Sequence, residues 1–362
     1  MKSKKILFLI LSIVLNVALA GCRAPENSSV AESENASGMR TITDLGGNTV
    51  TVPAAAEIRR VVIISPPTTS VLLGVLSDPN LIVGANSRAF TTSTTEIVSK
   101  LFPDWNGVDT SFVSEGFVSN TEELLNLNPD IVFYYGAAQK SGIENLGIPI
   151  VDMMKKGDNN PETVTIAWDN LLREIFEADN SVSLQNEWEA SNKKGAEALD
   201  TYTGEKKTAL FLFSNMGGVI SVYGRGTYAD TWFEKSGLVN AAAEISGQAE
   251  VNMEQLYEWN PDFIYVFIGS PASDMLENKI NGQDWSLLSA YKNNTIFDIP
   301  QGIYSWGAPC SDAPLTPLWM ISKSYPELLS ESDFKMMFKD YYSRMYKITL
   351  EEEVISAVLS PQ

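Results

Sequence analysis

Two stretches of the chain repeat one pattern of apolar and polar positions. Residues 120–135 (NTEELLNLNPDIVFYY) and 252–267 (NMEQLYEWNPDFIYVF), offset by 132, share Asn120/Asn252, Glu122/Glu254, Leu124/Leu256, Asn128/Asn260, Pro129/Pro261 and Asp130/Asp262. Ordinary residue frequencies would give about one identity in a window of this length. In each copy the apolar positions recur at three- and four-residue spacing, which predicts a short helix broken at Asn-Pro-Asp. The runs that follow, 131–135 and 263–268, are apolar without alternation. Both faces should therefore be covered, as in a parallel strand between helical layers.

A weaker likeness extends upstream. Arg59-Arg60 precedes the apolar run 61–64, and Lys206-Lys207 precedes 209–213; each run leads through a Gly/Ser/Pro-rich loop to a helical pattern, 69–76 and 228–236. Two similar α/β lobes with mostly parallel central sheets are implied. Solenoid units span about 20 to 50 residues, so a repeat at this offset is a domain duplication rather than an array. Between the copies, residues 162–202 carry no convincing strand and show helix formers on both sides of a break at Asp179-Asn180-Ser181. The second part, 181–202, is expected to be a helix joining the lobes. The boundaries read as a first lobe over 40–165, a bridging helical segment over 166–204 and a second lobe over 205–362.

The N-terminus has its own pattern. Residues 1–5 carry three lysines, 6–20 form an apolar run, and Leu19-Ala20-Gly21-Cys22 follows. The run is shorter than the roughly 20 residues that span a bilayer. It reads as a signal peptide, 1–21, with the alternative of an uncleaved anchor and a chance cysteine. Residues 22–39 are polar and lack periodicity, a flexible tether reaching roughly 20 to 25 Å.

With 362 residues, 44% of them hydrophobic, the chain can build two ordinary domains. The net charge of −19 becomes −22 once the three lysines of the leader are gone. That balance argues against a nucleic-acid partner. Histidine is absent from the sequence. Mechanisms that need imidazole as base, relay or metal ligand are therefore excluded. Cys310 is the only cysteine beside Cys22. With Cys22 modified, no intrachain disulfide can form.

The LAGC sequence resembles a bacterial lipoprotein signal, which implies lipid attachment at Cys22. The mature chain resembles the substrate-binding lipoproteins of ABC importers for ferric siderophores, cobalamin and haem. The likeness is carried by Thr41 to Pro53 as an opening hairpin turning at Gly46-Gly47-Asn48, by the two Glu-(x6)-Pro-Asp units, and by Tyr223-Gly224-Arg225-Gly226-Thr227-Tyr228 with Gly237 to Ala242. Trp306-Gly307-Ala308-Pro309-Cys310, Leu318-Trp319 and Tyr325-Pro326-Glu327 complete it. The resemblance implies two lobes joined by one long helix, the class III periplasmic-binding-protein fold, with limited closure. It also implies a monomer, anchored outside the cytoplasm, that captures an iron chelate or related metal chelate between its lobes and passes it to a membrane permease, with no cofactor and no catalysis. A cobamide or haem binder of the same fold, an anchored chelate-processing enzyme and a sensory lipoprotein are the alternatives.

The resemblance assigns Glu122 and Glu254, one per lobe, to permease docking; as acids near helix N-termini they also suit the helix dipole. Arg88, Tyr134, Tyr135, Tyr223, Arg225, Tyr228, Tyr304 and Trp306 fall in or just after predicted strand-end loops, where open α/β sheets bind ligands. Aromatic faces suit a chelate or corrin ring and guanidinium groups suit its carboxylates. One of Tyr134 and Tyr135 is expected to pack in the core. Cys310 is expected to be a small buried filler rather than a ligand, because no histidine or second thiol accompanies it. Gly224 to Ala229 fits G-x-G-x-x-A, but a turn leading into a helix explains it better than dinucleotide binding.

Overall fold

The computed structural model describes residues 38–179 and 181–361. The expected leader, Cys22 and most of the tether lie outside the described residues. The described chain opens with an antiparallel hairpin, β1 (Met39–Thr43) and β2 (Thr49–Pro53). Its turn is held by the Asp44 carboxylate, which accepts from the Asn48 backbone N–H at 2.7 Å and from the Asp152 N–H at 3.1 Å. The second bond ties the hairpin to the first lobe.

That lobe is built on β3 (Val61–Ile63), β4 (Ile82–Ala85), β5 (Ile131–Tyr134) and β6 (Ile150–Asp152), in the order β4-β3-β5-β6 and parallel throughout. The second lobe holds β7 (Thr208–Met216), β8 (Val219–Tyr223), β9 (Val239–Asn240), β10 (Gln248–Val251), β11 (Phe263–Gly269) and β12 (Ile296–Asp298). They run β10-β8-β7-β11-β12, with β9 beside β7; β8 pairs antiparallel with both β7 and β10, and the other pairs are parallel. The two repeated segments therefore supply β5 to one sheet and β11 to another, and the fold is the α/β architecture that the duplication predicted.

Five of the six repeated residue types have structural work. Asn120 and Asn252 are helix N-caps, their side chains accepting backbone N–H groups of residues 122 and 255 at 3.1 and 2.9 Å. Leu124 and Leu256 are fully buried. Asn128 and Asn260 sit in the left-handed region, φ 45° and 40°, which asparagine tolerates as a helix stop. Pro129 and Pro261 are buried behind them. The Asp130 carboxylate accepts the N–H groups of Arg59 and Arg60, and that of Asp262 accepts the Thr208 N–H, so each pins its strand to a neighbour.

The joining helix expected over 181–202 is present as Leu184–Leu199, and another sixteen-residue helix, Pro161–Phe176, precedes it on the other side of the break that the pattern marked. Asp169 joins them: its carboxylate pairs with Arg173 at 2.9 Å and accepts the Leu184 N–H at 3.0 Å. Pro161–Phe176 packs on Pro66–Val75 of the first lobe and Leu184–Leu199 on Leu315–Ser324 of the second. Glu187 of the joining helix also takes a two-pronged contact from Arg344, at 3.0 and 2.8 Å. Arg344 lies in Glu331–Tyr346, a helix beyond the last strand whose Tyr346 ring meets Gly74 of the first lobe.

Alternation along the buried strands sorts the core. Val61, Ile63, Ile131 and Phe133 face a core that continues through Trp168, Trp188, Phe211 and Tyr265 into the second lobe. Val62, Ile64, Val132 and Tyr134 face a smaller cluster on the far side of the first sheet. The second lobe has a matching outer cluster around Leu210, Leu212, Ile264 and Val266.

Candidate functional site

A cleft of about 660 Å³ opens between the lobes at the C-terminal ends of the parallel strands. From the first lobe it takes Ser87, Arg88, Thr91 and Thr92 after β4, and Glu115; from the second it takes the ends of β7, β11 and β12, then Gln301, Tyr304 and Ser305. Asn86 makes the first corner: buried, it accepts the Arg88 N–H on its side chain at 3.0 Å and starts the helix Arg88–Thr91. Arg88 is thereby presented to solvent in the cleft, its guanidinium carbon 5.6 Å from the centre of the Phe117 ring. No ion pair joins it to a carboxylate among the described residues.

Residues 301–312 form the floor and are stitched to the first lobe. The Thr94 N–H donates to the Gly302 carbonyl at 2.8 Å, the Ser93 hydroxyl to that of Ile303 at 2.7 Å, and the Ser311 N–H to the Ser70 hydroxyl at 3.0 Å. Tyr304 lines the cleft, hydrogen-bonded to Thr92; burial pushes its pKa up, against the pull of that bond and of Arg88. Asp298, on the back wall, accepts the Ala272 N–H at 2.9 Å, and burial raises its carboxyl above the usual range.

An aromatic wall leads away from this cavity. Phe267 and Phe213 line it edge to face at 5.7 Å, Phe213 stacks on Tyr223 at 4.6 Å, and Tyr223 meets Tyr228 at 6.4 Å. Tyr228 then hydrogen-bonds Tyr135 of the first lobe, and the Asn159 amide reaches the Gly226 carbonyl at 3.1 Å beside it. Burial raises Tyr223 to about 12 and pushes Tyr135 and Tyr228 up as well. All three are neutral phenols at physiological pH.

Arg88 and Tyr304 thus line the cavity between the lobes, while Tyr135, Tyr223 and Tyr228 lie beyond its lining on the aromatic wall. Three other residues need correction. Trp306 is fully buried, its indole N–H donating to Asp312 at 3.0 Å and its ring set against Phe334 and Phe338. The tight turn at 301–305 spends its outward positions on Tyr304 and Ser305 and sends the next side chain inward. Tyr134 belongs to the outer cluster because alternation in β5 turns it away from Phe133 and the groove. Arg225 is exposed, outside the residues that line the cavity, with its backbone paired to residues 245 and 247. Cys310 is a buried filler of the shared core, and burial pushes its thiol well up. Pattern reading missed Phe213, Phe267, Ser305 and Met216, because strand ends and a turn bring them to the cleft without any local signature.

Among the described residues no group of three acid or thiol side chains is placed to hold a metal ion, and no helix is long and apolar enough to cross a membrane. A family model described as periplasmic binding protein matches residues 115–302, a little over half of the chain, from the rim residue Glu115 through β12 to the cleft floor. The chain belongs to the periplasmic binding proteins. As a member of this family it is a binding protein acting outside the cytoplasm. The binding protein is 28% identical to the molybdate-binding protein MolA of Haemophilus influenzae over 347 residues, 87% of this chain and 93% of that one. A periplasmic solute binding protein from Veillonella parvula superposes with a TM-score of 0.76 at 26% identity, covering 89% and 97% of the two chains. CeuE from Helicobacter pylori, at 20% identity with a TM-score of 0.69 over 89% and 99%, shares the fold.

Proposed function

We propose that the protein captures a ferric siderophore or a related metal chelate between its lobes and delivers it, as a monomer anchored through Cys22, to the permease of an ABC importer. It catalyses nothing. The observation that carries this reading is the size and lining of the cleft. A tetrahedral oxyanion occupies on the order of 100 Å³, a few times the share of one water. A cavity of about 660 Å³ walled by Phe213, Phe267 and Tyr304 suits a larger and partly apolar solute. Arg88, free of an internal acid, is available to a carboxylate or hydroxamate oxygen.

Docking is assigned to Glu122 and Glu254. They are the one repeated pair whose side chains the fold leaves unemployed: both are exposed, and neither enters an ion pair among the described residues. Exposed ion pairs are worth about 0.2 to 1 kcal/mol each, enough to orient a transient complex.

A second reading, oxyanion capture, is favoured by the likeness to MolA, whose name records molybdate. Calorimetric titration of the full chain with ferric hydroxamate, ferric catecholate, cobamide, haem and sodium molybdate separates the two. One-to-one binding of a ferric chelate is expected; binding of molybdate alone would replace the chelate by the oxyanion. Calorimetry is preferred to tryptophan quenching because no tryptophan lines the cleft. Conversion of any chelate to an altered product at turnover rates would overturn the transport reading.

A further inference from the structure

The cleft has two chemically different ends. At its floor the Ser305 hydroxyl is buried without a hydrogen-bond partner, although the residue lines the cavity. A buried hydroxyl in that condition is costly unless an occupant satisfies it. Arg88 and Tyr304 lie on the same lining.

At the mouth the chemistry reverses. Met216 ends β7 with 60% of its surface exposed, and Ile268, 39% exposed, lies on the adjoining strand; both line the same cavity. Exposed apolar side chains are ordinary when scattered, but these two share one rim, and Val219 across the hairpin adds a third at 46%. The rim is held in place. Asn215 and Gln283 exchange two buried amide hydrogen bonds of 2.9 Å at the base of the hairpin. Gly217 and Gly218, φ 60° and 82°, close its tip. Gly269, φ 103°, lets β11 come so close to β7 that a Cβ there would stand 2.3 Å from the Asn215 carbonyl oxygen. A braced apolar shelf is therefore continuous with a polar floor. The cleft acids do not contradict this: Asp298 is engaged by the Ala272 N–H, and Glu115 is exposed on the opposite rim.

We propose that the cleft selects an amphipathic solute, with an anionic, hydrogen-bond-accepting end on Ser305 and Arg88 and an apolar end on Met216 and Ile268. This rests on the solute-capture reading above and adds to it the class of solute.

The test uses 1-anilinonaphthalene-8-sulfonate, which joins a sulfonate to an apolar ring system, titrated into the folded full chain by fluorescence. Saturable one-to-one binding is expected. M216S/I268S, at exposed positions that do not burden folding, should weaken it about tenfold, as expected for uncovering about half of two aliphatic side chains. R88M and S305A should each weaken it severalfold. If R88M and S305A weaken the dye while M216S/I268S binds it as tightly as the wild type, the shelf is overturned and solute capture in the cleft stands. If all three variants bind like the wild type, the cleft itself is not the site and both readings fail. Loss of solute uptake in M216S/I268S with undiminished dye binding would make the shelf a permease surface and overturn the proposal.

Discussion

At the scale of single residues, Asp312 governs the cleft floor from beneath. It is fully buried with no cation beside it, and four donors converge on it: the Ile303 N–H, the Trp306 indole and the hydroxyls of Tyr342 and Tyr346. Gly302 lies so close that a Cβ would stand 2.1 Å from the carboxylate. Burial raises the carboxyl from 3.8 to about 6, although the four hydrogen bonds pull the other way. The folded chain therefore holds a proton up to about pH 6 that the unfolded chain releases above about 3.8. Stability from this group is greatest at the acid end and falls as pH rises through that window, by up to about 3 kcal/mol for a shift of this size. In D312N the amide sets a donor against donors and no longer titrates. Urea unfolding should show D312N less stable than the wild type, with the gap narrowing between pH 4 and pH 7. A gap independent of pH would mean that Asp312 is already ionised in the folded protein at pH 4. None of this was legible in the sequence. An aspartate six residues after a tryptophan has no local pattern, and the partners at 342 and 346 come from a helix that only tertiary packing brings near.

At the scale of elements, much more could be read. Buried parallel strands appear as unbroken apolar runs, so β5, β7 and β11 were visible, and the duplicated helix stops marked where β5 and β11 began. The same lack of alternation hid the choice between Tyr134 and Tyr135, since an unbroken run does not say which face looks onto a groove. The bridge was half legible. Its break at 179–181 was marked, but that both flanking helices serve as one connector depends on Asp169 capping across the gap. The proposed docking also belongs to this scale, because it needs one helix start from each lobe. Replacing both Glu122 and Glu254 with Arg should leave solute affinity unchanged, since neither lines the cleft, while uptake by cells carrying the cognate permease falls sharply. Each change also opposes the helix dipole, at about 0.3 to 1 kcal/mol, which the fold can bear. Undiminished uptake in the double variant would remove the docking assignment.

At the scale of the whole molecule, the duplication misleads in one respect. Two look-alike lobes invite a picture of two bodies on a hinge, yet their largest apolar cluster is shared, passing from Val61 and Phe133 through Trp168 and Trp188 to Phe211 and Trp319. Trp188 stacks on Trp232 at 6.1 Å while its N–H reaches Thr165 of the other bridging helix at 2.9 Å, so one side chain belongs to both halves of the connector. The cleft floor is bonded to the first lobe, and Glu331–Tyr346 closes back over Gly74. Opening the lobes fully would expose that core, so only small hinge or shear movement is compatible with it. Unfolding should follow the same logic. Chains of this length commonly melt domain by domain, but a lobe that unfolds alone would leave half of a shared core in water. Scanning calorimetry of the full chain should therefore give a single endotherm whose van't Hoff and calorimetric enthalpies agree. A bound chelate at about one hundred times its Kd should move that endotherm upward as a whole, by the equivalent of about 2.7 kcal/mol. Two resolved transitions, only one of them shifted by ligand, would show that the lobes are separable after all and that the cleft is shaped by a mobile joint rather than by the core beneath it.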